Sequence, residues 1–77
     1  MNIAKRITTP KKLLKSKWTA VTPTRKEKHF MVTKLIVPEQ PEHPVEFVEI
    51  EAVHSKRVQQ IAWQTLNDNT FWLQGWL

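Results

Sequence analysis

Few side chains in this chain can carry chemistry. The histidines are His29, His43 and His54, the serines are Ser16 and Ser55, and the only aspartate is Asp68. Cysteine is absent, which excludes thiol nucleophiles, thiolate metal sites and disulfides. Hydroxyl nucleophiles need a neighbouring base and an orienting third group. Ser55 follows His54, but both fall in "HSKR", which reads as a tight turn where serine is ordinary. No G-x-S-x-G and no carboxylate pair set for acid–base work occurs. The histidines lack H-E-x-x-H or any other short ligand spacing, so three solvated imidazoles are expected. The single glycine, Gly75, cannot build a glycine-rich phosphate cradle. The expectation is a protein that is not an enzyme, without catalytic residues, metal or cofactor.

The residues that accumulate are cations. Residues 1–28 hold nine Lys/Arg and one acid, Glu27, whereas residues 29–77 hold three Lys/Arg and six acids; the net charge is +5. A basic arm is therefore joined to a mildly acidic body. The arm carries Lys5, Arg6, Lys11, Lys12 and Lys15, and a second basic group, Arg25, Lys26 and Lys28, forms the turn "RKEK". Such groups attract polyanions, nucleic acid ahead of an anionic membrane surface. A plainer role, keeping a small β protein soluble, is the competing explanation for the arm.

Length and hydropathy limit what can position these charges. A chain of 77 residues makes one small domain, in which a core is hard to complete. Four tryptophans and three phenylalanines compensate, each burying roughly 150–250 Å². The longest apolar runs are three residues, too short for a membrane span or a signal-peptide core. Residues 1–15 read as a flexible arm, broken by Pro10, from which Leu13 and Leu14 can dock on the body. Residues 16–77 read as a single β-rich domain.

From Lys17 onward the apolar period is two. "KWTAVT", "HFMVTKLIV", "VEFVEIEAV" and "RVQQIAW" read as strands, and "PEQPEHP", with three prolines, as a loop. Pairing Val37 with Val45 sets Phe30 against Ala52, Val32 against Ile50, Lys34 against Val48 and Leu35 against Phe47. Pairing Val53 with Val58 sets Ile50 against Ile61 and Val48 against Trp63. Pairing Thr22 with Lys28 sets Ala20 against Phe30 and Trp18 against Val32. All three hairpins then share one apolar face, with Lys34 as its one charged member. Thr19, Met31, Thr33, Glu49, Glu51 and Gln60 form the wet face. The expected fold is mainly β: a four-stranded antiparallel meander with the C-terminal Trp-rich segment packed on its apolar face. In that segment "QTLND" can form a helical turn, and Gly75 lets the last residues bend back as a lid.

"KSKWTAVTP", "EKHFMVTKL", "EIEAVHSKR" and the terminal pattern "W…ND…W..GW" together resemble a family of small tryptophan-rich bacterial proteins, over roughly Leu13 to Trp76. That family is a domain of unknown function, so no activity, cofactor or site residue carries over. The resemblance implies a bacterial origin and a cytoplasmic location.

Two functions remain. The first is a non-enzymatic binding protein that contacts RNA or a ribonucleoprotein through the arm and the "RKEK" turn. Its aromatics are committed to the core and Glu49 and Glu51 repel phosphate from the wet face. Binding would therefore use the backbone without reading sequence. The second is a protein-interaction module with no nucleic-acid role, docking through Leu35, Val45 and Phe47 beside the proline loop.

Overall fold

The structure is a computed structural model that describes residues 9–77; residues 1–8, with Lys5 and Arg6, lie outside the described residues. Among the described residues five antiparallel strands form one sheet: β1 (Lys17–Thr24), β2 (Glu27–Ile36), β3 (Phe47–Ala52), β4 (Val58–Ala62) and β5 (Trp72–Gln74). Their order is β4-β3-β2-β1-β5. Short 3₁₀ turns span Pro10–Leu13 and Trp63–Asn67. Among the described residues no helix is long and apolar enough to cross a membrane.

The mainly β expectation holds, but the strand number is corrected from four to five. The outer edge of β1 would otherwise expose unpaired backbone groups, and Trp72–Gln74 pairs with it, Ala20 opposite Trp72 and Trp18 opposite Gln74. The tail therefore straddles the sheet's edge instead of lying on one face. Trp72 meets Phe30 edge-to-face at 5.1 Å on the apolar side. Gly75 then adopts φ +87°, the left-handed region open to glycine, and turns the chain to the opposite face. There the Thr19 hydroxyl donates to the Gly75 carbonyl (2.7 Å) and accepts from the Leu77 amide (3.0 Å).

The core is Leu13, Trp18, Phe30, Val32, Val48 and Ile50, with Ala52 and Leu66, all buried. Its cover is thin. Leu13 comes from the first 3₁₀ turn and Leu66 from the second, while Trp63 and Trp72 pack at its margins. Leu13 reaches the sheet because Lys15 takes a left-handed φ of 65° and donates its amide to the Val32 carbonyl (2.8 Å).

Register departs from expectation in three places. Trp18 pairs with Phe30, not Val32, because β1 bulges between Thr19 and Thr24. Val48 pairs with Ile61 and Ile50 with Gln59, a two-residue shift that keeps the same face buried. Between β2 and β3, Phe30–Ala52 and Val32–Ile50 are as expected, and then a bulge at Thr33 moves Lys34 opposite Glu49 and Leu35 opposite Val48. The bulge removes the one charge from the apolar face: Lys34 is exposed and Leu35 packs against the core. The proposed cluster of Leu35, Val45 and Phe47 is thereby divided. Phe47 remains exposed, and Val45 accepts a hydrogen bond from the Trp63 indole (2.9 Å) at its carbonyl.

Candidate nucleic-acid interface

A meander places alternate turns at the same end of the sheet. The β1–β2 and β3–β4 turns share one end, and the proline loop occupies the other. At the first end Thr24 pairs with Glu27, leaving Arg25 and Lys26 as a two-residue loop. Both are left-handed (φ 54° and 61°), as a type I′ turn requires of its central residues. The β3–β4 turn contributes Lys56, also left-handed at φ 64°, and Arg57. With Lys28, these are five exposed cations around one acid.

That acid, Glu27, ties the two turns together. It is 3% exposed, and the Arg57 guanidinium grips it through Nη2 to Oε1 (2.6 Å) and Nε to Oε2 (3.1 Å). The Ser55 hydroxyl also donates to Oε2. The hydrogen bonds from Arg57, then from Ser55, hold the Glu27 carboxyl at about 2, against burial, with Arg25 adding a favourable field. Glu27 in turn raises the Arg57 guanidinium above its usual range. Among the described residues no acceptor other than Glu27 engages that guanidinium, so its Nη1 edge keeps its donors.

The pair borders a cavity of about 320 Å³. Phe30, Phe71 and Trp72 supply its aromatic lining, and Thr22, Thr24, Thr65 and Gln59 its hydroxyls and amide. The core's cover is incomplete here: of the two 3₁₀ turns only the second reaches the cavity, through Thr65, and the small Ala20 sits opposite Trp72.

Arg25, Lys26 and Lys28 are thus brought together, and Lys56 and Arg57, which belong to neither basic group of the sequence, join them. Their signal was present: "HSKR" as a turn must share an end with "RKEK" in any meander. Lys11, Lys12 and Lys15 are exposed but lie elsewhere. Lys15 is anchored at Val32, five residues along β2 from Glu27, roughly 16 Å at a strand's rise. Pro10 lies nearer the far end, lining a second cavity with Pro44 and Trp63. The histidines are apart: His54 in the β3–β4 turn, His43 in the proline loop, and His29 beside Trp76, 6.1 Å between ring centroids. Trp76 is also capped by the Lys17 ammonium at 5.0 Å, and its indole donates to the Phe30 carbonyl (2.9 Å).

The family model Tryptophan-rich protein (DUF2389) matches residues 16–77. The chain belongs to this family. The description names a composition and no activity. The chain's four tryptophans have distinct duties: Trp18 is buried and donates to Ser16 (2.7 Å), Trp63 holds the proline loop, Trp72 lines the cavity and Trp76 covers His29. No curated protein and no solved structure matches the chain.

Proposed function

We propose that this DUF2389 protein is a non-enzymatic binding protein of the bacterial cytoplasm that contacts RNA, bare or within a ribonucleoprotein, through its phosphates. The observation that carries this reading is where the backbone is strained. Four non-glycine residues among those described have left-handed φ angles: Lys15, Arg25, Lys26 and Lys56. Every one is a cation. A left-handed L-residue costs roughly 1–2 kcal/mol, and glycine or asparagine relieves much of it. Charge for solubility alone would be served equally well at unstrained surface positions. Cations retained at strained turns fit a role in which their placement matters.

Salt dependence tests this. Single-stranded RNA binding should weaken with salt, and Arg25, Lys26 and Lys56 replaced by Gln should flatten the log–log slope by roughly 0.7 per lost phosphate contact. A parallel variant with Lys5, Arg6, Lys11, Lys12 and Lys15 replaced by Gln reports the arm's share. Binding with an unchanged slope in both variants, or no binding to RNA at all, would reject the reading. A protein partner recognised without nucleic acid would survive both sets of substitutions.

A further inference from the structure

The cavity beside the basic turns has chemistry that phosphate contacts alone leave unused. We propose that it is a nucleotide site: it takes one flat heteroaromatic base against Phe71 and Trp72, with the attached phosphate at Arg25, Lys26 and the open edge of Arg57. A free nucleotide and an unpaired nucleotide within RNA present the same chemistry. The second case rests on the function proposed above, and the first does not.

The lining argues for this class by elimination. The volume of about 320 Å³ lies at the small end of ligand cavities, roughly 300–1,000 Å³. Three aromatic rings favour a flat ring, and stacking tolerates any base. A purely apolar ring would leave Thr22, Thr24 and Gln59 without a partner, whereas a base edge carries both donors and acceptors. An amine ligand is disfavoured because both Glu27 oxygens are already taken by Arg57 and Ser55. With Glu27 paired to Arg57, the nearest unpaired cations in the chain are Arg25 and Lys26, which do not line the cavity but join its lining residues Thr24 and Glu27, and they suit an anionic group attached to the ring. The Arg57 fork is held by Glu27 on one edge, so it meets a phosphate already oriented.

Phe71 is the residue to change, because it lines the cavity yet is 54% exposed and lies outside the core. Two probes are titrated into the ¹⁵N-labelled full chain: AMP or UMP, with ribose 5-phosphate as control, and a single-stranded RNA hexamer, with its abasic counterpart. The Trp72 indole cross peak should move with the nucleotides and the hexamer but not with the controls, and that of Trp18, 1% exposed, should stay. Phe71→Ala should weaken hexamer binding roughly tenfold without altering its salt slope, as loss of one stacked base does. Nucleotide binding without hexamer binding assigns the cavity to the free ligand and rejects the RNA function. Hexamer binding with a normal salt slope, a silent Trp72 and no effect of Phe71→Ala overturns the site and leaves the backbone reading intact. Silence to both probes overturns both.

Discussion

The two ends of the sheet solve the same problem in opposite ways. Each must reverse the chain in a small domain. The far end does so with Pro38, Pro41 and Pro44, whose φ is preset, and Gln40–His43 closes as a turn with Pro41 at its second position (His43 amide to Gln40 carbonyl, 3.0 Å). Preset φ lowers the entropy of the unfolded chain and so stabilises. Its charged residues are the acids Glu39, Glu42 and Glu46. The near end reverses with Arg25–Lys26 and with Lys56, in left-handed conformations that L-residues resist. Stability is favoured at one end and given up at the other, and the second is where binding is proposed.

The contrast is broken most severely by removing what supports the near end. Trp72→Ala deletes the edge-to-face partner of Phe30 and the anchor of β5. Losing a buried tryptophan costs about 3–5 kcal/mol, and a domain of this size has about 3–5 kcal/mol in total. Trp72 is half-buried, so the lower value is expected, enough to unfold much of the population. Trp76→Ala, from a ring 41% exposed, should cost less and leave a cooperative melt. Thermal melts with near-UV circular dichroism separate them. Equal costs would mean that the two sides of the β5 edge contribute alike.

Acid attacks the near end next. The folded Glu27 carboxyl titrates at about 2, against an ordinary 4.5 in the unfolded chain. A depressed carboxylate stabilises above the unfolded value, and that stability is lost as pH falls toward the folded value. Stability should therefore be flat from neutrality to about pH 4.5 and decline between about 4.5 and 2. In Glu27→Gln the decline in this window should be shallower, with the midpoint lower at neutral pH. Urea midpoints measured against pH check this. Parallel curves for the two proteins would show that the Arg57–Glu27 clasp contributes no pH dependence.

What was legible in the sequence follows from what alternation can encode. A period of two assigns faces, and the apolar set around Trp18, Phe30, Val48 and Ile50 is buried as read. Face assignment is blind to a shift of two residues, so Trp18 could be paired with Val32 or Phe30 with no change in pattern. The bulge at Thr33 did leave a sign, Lys34 as the one charge on an apolar face. A strand of three residues, such as β5, is too short to show a period. The Glu27–Arg57 pair spans thirty positions and has no local signature, although Glu27 stood alone as the acid among nine cations. The cavity depended on where the cover stops, and no strand pattern reports that.

Relieving strain at the near end should separate stability from binding. Arg25→Asn with Lys26→Gly installs the pair that type I′ turns favour. The double variant should be more stable by about 1 kcal/mol, less than the full left-handed penalty because asparagine keeps part of it. It should also bind RNA more weakly and with a flatter salt slope. Denaturant melts and anisotropy titrations on the same preparation decide it. A gain in stability with unchanged RNA binding would detach the strain from the function.

The smallest expected effect is at the proline loop, and it serves as the control for the comparison. Pro41→Ala keeps the Gln40–His43 turn, since position two of such a turn accepts alanine, but frees φ in the unfolded chain. The cost should be about 0.4–1 kcal/mol. The near end lies across the sheet from this loop, and Glu39, Glu42 and Glu46 keep their charges. RNA affinity and its salt slope should therefore stay at the values of the unaltered protein. The pair of double variant and Pro41→Ala then gives opposite stability changes, with binding altered only where the left-handed cations are lost. If Pro41→Ala instead weakened binding as much as the turn variant, binding would follow global stability, and the division of labour between the two ends would fail.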